Sequence, residues 1–153
     1  MTGNGAAGPA APAALGPGND ERELVQVMVH RPDLRRGILD RLPDHALLRE
    51  PELTLMELVG RCPEDRPIGE LFAELDDVRR GLLTQVLARP WNPETAGAVQ
   101  EGALRKLENR RIDRDIRDLR REMTVSPEDR KVELTGRIKT LKVEKLRGRS
   151  SAR

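Results

Sequence analysis

Apolar residues in this chain recur at three- and four-residue steps, in short runs that prolines separate. Leu24/Val27/Met28, Leu34/Ile38/Leu42, Leu55/Leu58/Val59, Leu71/Phe72/Leu75 and Val78/Leu82/Leu83/Val86 each fall on one face of a helix. No stretch alternates apolar and polar positions between turn signals, so no strands are predicted. Pro32, Pro43, Pro51 and Pro67 each stand where a first helical turn would start, because proline tolerates only that part of a helix. Asp20 followed by Glu23 has capping-box spacing and opens a predicted helix over Glu21–His30. Further helices are predicted at Pro32–Arg41, Asp44–Arg49, Glu52–Arg61, Pro67–Leu75 and Asp77–Ala88, the last capped by Asp76 or Asp77.

The closing third follows a different pattern. Asn92-Pro93 and Ser126-Pro127 each combine a capping side chain with proline at the first helical position. They predict helices from Pro93 to Met123 and from Pro127 to Arg147, hinged at Thr124-Val125-Ser126. Leu104, Leu107, Ile112, Ile116, Leu119 and Met123 form the stripe of the first arm; Leu134, Ile138, Leu141 and Leu146 form that of the second. The expected fold is all-α: a bundle of about six short helices over residues 20–90, then a long C-terminal helical hairpin over 91–147, with a basic tail at 148–153. The first arm would reach about 45 Å, longer than a small domain is wide. A hairpin of that length after a compact body is expected to touch something else.

Composition narrows the class. A chain of 153 residues holds one domain with an appendage. Aromatics are 1 %, Phe72 and Trp91 alone, so the core is aliphatic and suits helix packing. Residues 1–19 are mostly Gly, Ala, Pro and Asn, with Leu15 as the single large aliphatic, and are expected to be a flexible linker or tail. The single cysteine, Cys62, excludes an internal disulfide. No apolar run approaches the ~18 residues of a membrane span, and the N-terminus lacks the basic start and apolar stretch of a secretory signal. A soluble, cytoplasmic protein that does not engage membranes is expected. Net charge is +2, but residues 104–153 carry 17 Lys/Arg and 9 Asp/Glu and stand at +8, leaving residues 1–103 at −6. An acidic body with a basic hairpin predicts an acidic partner surface, protein or nucleic acid, although alternating signs along Arg110–Asp115 also suit a solvated helix face.

Candidate chemistry is sparse. His30 and His45 lie near helix ends, where an imidazole caps or packs. Asp76-Asp77 is read as a joint between helices, and Cys62 as a small apolar residue. Gly3, Gly5 and Gly8 follow no strand and precede no Lys-Ser/Thr, so they are not a phosphate loop. No catalytic, cofactor or metal-binding residues are assigned. Trp91, between Pro90 and Asn92, is expected to pack at the joint of body and hairpin and set its angle; the alternative is an exposed anchor for a partner. The stretch Lys139–Arg149 is basic with interleaved aliphatics but lacks the aromatic platforms of single-strand binders. It better fits an amphipathic helix docked in a groove.

The tract Arg22-Glu23-Leu24-Val25-Gln26-Val27-Met28-Val29-His30-Arg31-Pro32-Asp33-Leu34 resembles the opening helix and turn of the C-terminal, helicase-binding domain of bacterial DNA primases. Glu50-Pro51-Glu52-Leu53 through Leu58, Leu71 through Leu87, and Leu104-Arg105-Lys106-Leu107-Glu108 with the charged hairpin follow in similar order, so the resemblance spans residues 21–147. The N-terminal segment of replicative helicases has a similar pattern. The resemblance implies a non-enzymatic module of DNA replication that docks primer synthesis onto the N-terminal domains of the hexameric replicative helicase. The zinc-binding and polymerase domains of full-length primases are not on this chain, since one Cys with His30 and His45 cannot supply a zinc site. A separated terminal domain, with residues 1–19 resembling the tether that precedes it, is favoured. On this reading Ile138, Leu141, Lys142, Lys145 and Leu146 supply apolar anchors and steering charge, and the free chain is a monomer. The rival expectations are a nucleic-acid-binding protein, touching DNA weakly through the basic hairpin, and a helical oligomerisation module. The five-residue step from Leu107 to Ile112 weighs against a strict coiled coil.

Overall fold

A computed structural model describes residues 18–151, with side chains through residue 147. The expected linker up to residue 17 and the side chains of the expected basic tail lie outside the described residues. The fold is all-α: α1 (Asn19–His30), α2 (Arg35–Arg41), α3 (Glu52–Gly60), α4 (Asp77–Ala88), α5 (Ala96–Met123) and α6 (Glu128–Ser151), with 3-10 turns at Pro32–Leu34, His45–Leu47 and Ile68–Glu74. Prolines punctuate the body, but the runs expected at Asp44–Arg49 and Pro67–Leu75, and the start of Pro32–Arg41, close as 3-10 turns instead.

The helix starts differ in their chemistry. Asp76 accepts from the Arg79 N–H at 2.9 Å and caps α4, and Asp44 accepts from the Ala46 N–H at 3.0 Å at the 3-10 turn. Asp20 does not cap α1. That helix begins at Asn19 behind Gly18, whose φ of 83° is the left-handed conformation glycine adopts freely. A side chain at residue 18 would also meet the buried Glu52 carboxylate, 2.5 Å from a Cβ there. The α1 helix therefore starts two residues before Glu21, which frees Asp20 to face α5. Asn92 accepts from the Glu94 N–H at 2.9 Å and closes a turn, so α5 starts at Ala96 rather than Pro93. Ser126 donates backward to the Glu122 carbonyl at 2.7 Å instead of capping α6.

Two separate cores follow. In the body, Leu24, Val25, Val27 and Met28 of α1 are fully buried among Ile38, Leu55, Met56, Val59, Leu71 and Leu83. Ala103, Leu104 and Leu107 of α5 complete that cluster, with Trp91 and Phe72 packed at its edge. In the arm, Ile112, Ile116 and Leu119 of α5 meet Leu134 and Ile138 of α6, flanked by Met123 and Leu141. One unbroken helix thus serves both cores. Val78, expected on the inner face of α4, is 64 % exposed; Leu82, Leu83 and Val86 alone fill that face.

Polar groups stitch the body together. Arg35, 3 % exposed, donates to the Met28 carbonyl at 2.7 Å and the Cys62 carbonyl at 2.9 Å, satisfying carbonyls near the ends of α1 and α3. Glu52, buried at the start of α3, is paired with Arg22 at 2.8 Å. Gln26 donates to the carbonyls of Arg89 (3.2 Å) and Pro90 (3.0 Å), fixing the strand-like approach to α5.

Candidate docking surface on the helical hairpin

The arm is positioned by a buried ionic clamp. Glu21 on α1 has no exposed side-chain surface, and Arg110 on α5 meets it at 2.8 Å and 3.1 Å through both guanidinium nitrogens. Arg110 also reaches Asp20 at 3.2 Å and donates to the Leu47 carbonyl at 3.0 Å. The Arg49 backbone N–H donates to Glu21 at 2.8 Å. Burial opposes the charge on Glu21, but the hydrogen bonds from Arg110 and Arg49 prevail and hold its pKa below the usual carboxylate value. Glu23, two residues along the helix from Glu21, is pushed up by burial.

Trp91 sits where the sequence places it, at the joint. It is half-buried and stacks on His30 with ring centroids 4.4 Å apart and planes 11° apart. Burial lowers the pKa of His30. His45 lies at the surface, 3.6 Å from Glu57. Cys62 is a buried free thiol. Among the described residues no group of three His, Cys, Asp or Glu could hold a metal, and no helix is long and apolar enough to cross a membrane.

The five residues singled out on the second arm divide between its two faces. Ile138 is 8 % exposed and belongs to the arm's interior, with Leu141 half-buried beside it. Lys145 is tied to Asp113 of α5 at 2.7 Å. These three hold α6 against α5, together with the Arg111–Glu144 pair at 2.8 Å and the Arg130–Glu122 pair at 3.3 Å. Ile138 and Leu141 are therefore not free anchors, because the apolar stripe they lie on is consumed in closing the hairpin. Lys142 and Leu146 do face outward, Leu146 at 58 % exposure.

A second stripe was not predicted. Val132, Gly136, Lys139, Val143 and Leu146 follow one another at steps of four, three, four and three residues along α6, and all are exposed. That spacing keeps them on one face, opposite the Leu134–Ile138–Leu141 face. Val132 is 75 % and Val143 47 % exposed, so a seam of heptad spacing lies open to solvent. Lys142 and Arg147, with no carboxylate partner among the described residues, border it. The signal was present in the sequence, but the inner stripe of Leu and Ile is stronger and masks a seam diluted by Gly136 and Lys139.

This surface offers aliphatic contact flanked by ammonium and guanidinium groups, on an arm anchored by a buried salt bridge. Compared with protein-family models, curated proteins and solved structures, the chain finds no match.

Proposed function

We propose that this chain is a non-catalytic docking module of the kind that joins bacterial primase to the replicative helicase. The observation that carries the reading is the open α6 seam, displayed on an arm with its own closed interior. An apolar stripe left exposed on a rigid helix is a recognition surface for a partner helix or groove. Lysines and arginine at its border favour an acidic partner and speed its capture. The body-then-hairpin order parallels the primase domain it resembles, which supports a helicase N-terminal domain as that partner. The role is then to hold an attached primer-synthesising activity near its template by raising effective concentration. The protein acts in the cytoplasm on this reading. The free chain is a monomer, because Gly136 and Lys139 make the seam a poor match for a second copy of itself.

The test is calorimetric titration of the purified chain into the N-terminal domain of a hexameric replicative helicase at two salt concentrations. Saturable binding is expected at both. Val143→Ser with Leu146→Ser is expected to weaken it at least tenfold while leaving helical content and sedimentation unchanged, in line with central hot-spot truncations of over 1 kcal/mol each. Unaltered affinity in that double variant would place the contact elsewhere, and no binding at either salt would refute the reading.

A further inference from the structure

The body and the arm meet at an inner corner, and that corner is rich in arginine. Below the arm, the 3-10 turn His45–Leu47 and the following Leu48 and Arg49 run against α5. They enclose with it a cleft of about 340 Å³ lined by Leu47, Arg49, Arg110, Asp113 and Arg117. Along α5, Arg110, Arg114, Arg117 and Arg121 recur at four, three and four residues, so they share one face. This face meets the body at Arg110 and continues past the body's edge toward the hairpin tip.

The charges in the corner are unevenly compensated. Arg110 is neutralised by Glu21 and Asp20, and Asp113 by Lys145 at 2.7 Å. Arg114 reaches Asp44 at 3.5 Å, and Arg121 pairs with Asp118. Arg49 and Arg117 are exposed, and neither has a carboxylate within ion-pairing distance among the described residues. Two guanidinium groups, one from the body and one from the arm, therefore border a single cleft without an ion pair of their own, and the carboxylate in its lining, Asp113, is already engaged by Lys145.

We propose that this corner is a phosphate-binding site for the backbone of a nucleic-acid strand, separate from the α6 seam. Guanidinium groups offer paired N–H donors that match phosphate oxygens. Arg114, Arg117 and Arg121 rise along α5 by about 4.5 and 6 Å, so a strand with one phosphate in the cleft can continue along the arm. The corner presents no aromatic stacking platform and no side-chain amide aimed outward among its lining residues, so contact is to the backbone and indifferent to base sequence. The seam faces a partner protein while the corner holds nucleic acid beside it. The inference rests on the unpaired arginines and does not depend on the helicase reading.

The experiment measures anisotropy of a labelled duplex oligonucleotide against the full chain from 50 to 200 mM salt. Arg49→Ala/Arg117→Ala is compared with Arg137→Ala/Lys139→Ala, which removes the same charge from α6. The unaltered chain is expected to bind with a log–log salt slope that the corner variant reduces by about two, roughly 0.9 per lost phosphate contact. The α6 variant is expected to change the slope by less than one. Both corner residues are exposed, so the variant should melt at the unaltered temperature, a control read by circular dichroism. Equal weakening by the two variants would show that net charge alone governs binding and would overturn the site. Absence of binding at 50 mM salt would overturn it as well. A third arm titrates inorganic pyrophosphate and follows the Leu47–Arg49 amide signals. Saturation by pyrophosphate at concentrations where the oligonucleotide gives no shift would assign the cleft to a small phosphate ligand and refute the nucleic-acid claim.

Discussion

Replacing Arg110 with alanine should cost this protein far more than its position on a charged helix suggests. Glu21 is completely buried and accepts from Arg110 at 2.8 and 3.1 Å and from the Arg49 N–H at 2.8 Å. Without Arg110 the carboxylate keeps its burial and loses its counter-charge, and the Leu47 carbonyl loses a donor. Breaking one side of a buried pair typically costs 3–5 kcal/mol. Arg110 itself is 23 % exposed, so water can enter the vacated space, and the lower end, about 3 kcal/mol, is expected. The adjacent Arg111 is the natural comparison. It makes three pairs, to Glu108 (2.7 Å), Asp115 (2.9 Å) and Glu144 (2.8 Å), all with partners at least 32 % exposed. Pairs of that kind are worth about 0.2–1 kcal/mol each at most and share one guanidinium, so Arg111→Ala should lose about 1 kcal/mol. Urea unfolding, followed by Trp91 emission and by helical circular dichroism, measures both losses. Adding Glu21→Gln to the Arg110 variant should recover part of the loss, because the orphaned charge is then gone. Equal losses for the two arginines within about 0.5 kcal/mol, or no recovery in the double variant, would refute the clamp.

Other outcomes follow from the same geometry. Glu21 has a lowered pKa in the folded state, so its stabilisation is present above the ordinary glutamate value and is lost as pH falls through the lowered one; Glu21→Gln should flatten the acid limb of a stability-versus-pH curve. Glu23 has a raised pKa, so its contribution is lost as pH rises through that value, and Glu23→Gln should stabilise the fold at neutral pH but not at pH 3, checked by thermal melts. Protonating His30 against the Trp91 ring should change the emission of the chain's single tryptophan with a midpoint below the ordinary 6.5, and His30→Gln should abolish that transition; a midpoint at or above 6.5 would contradict the burial argument. Leu134 is fully buried in the arm, so Leu134→Ala should lose about 2–4 kcal/mol of arm stability, seen as faster amide exchange in α6 while the α1 amides stay protected.

Much of the body was legible because its signals are local. Proline positions marked where helical turns begin at Pro32, Pro51 and Pro127, and Asp76 caps as its side chain dictates. The α4 bounds, Asp77–Ala88, coincide with the expectation because a capping aspartate opens the helix and Arg89-Pro90 closes it. Asp20, Asn92 and Ser126 misled for one reason. A short polar side chain before a helix can cap, but it can also serve a tertiary partner or a turn, and sequence spacing does not separate these uses. Arg35 was invisible because an arginine reads as surface until two carbonyls converge on it. Of the five residues singled out on the second arm, Leu146 and Lys142 lie outward, whereas Ile138, Leu141 and Lys145 close the hairpin. An amphipathic stripe announces burial but does not say whether its cover is intramolecular.

The five-residue step from Leu107 to Ile112 illustrates how one spacing carries two meanings. At 100° per residue it turns the apolar face of α5 by about 140°, which no continuous coiled coil tolerates. The turn is what lets a single helix pack on the body through Leu107 and then on α6 through Ile112. Glu108, Asn109, Arg110 and Arg111 fill the interval, and the clamp to Glu21 lies within it. Because each side of the interval has its own core, a partner can load the arm without drawing on the body's packing. A partner that used Ile138 and Leu141 would have to open the hairpin, exchanging one apolar contact for another of similar area and losing the Lys145–Asp113 and Arg111–Glu144 pairs. Such an exchange gains little hydrophobic energy and sacrifices the ion pairs. Contact at Val132, Val143 and Leu146 instead buries surface that is still in water, so the outer seam is where association can lower the free energy.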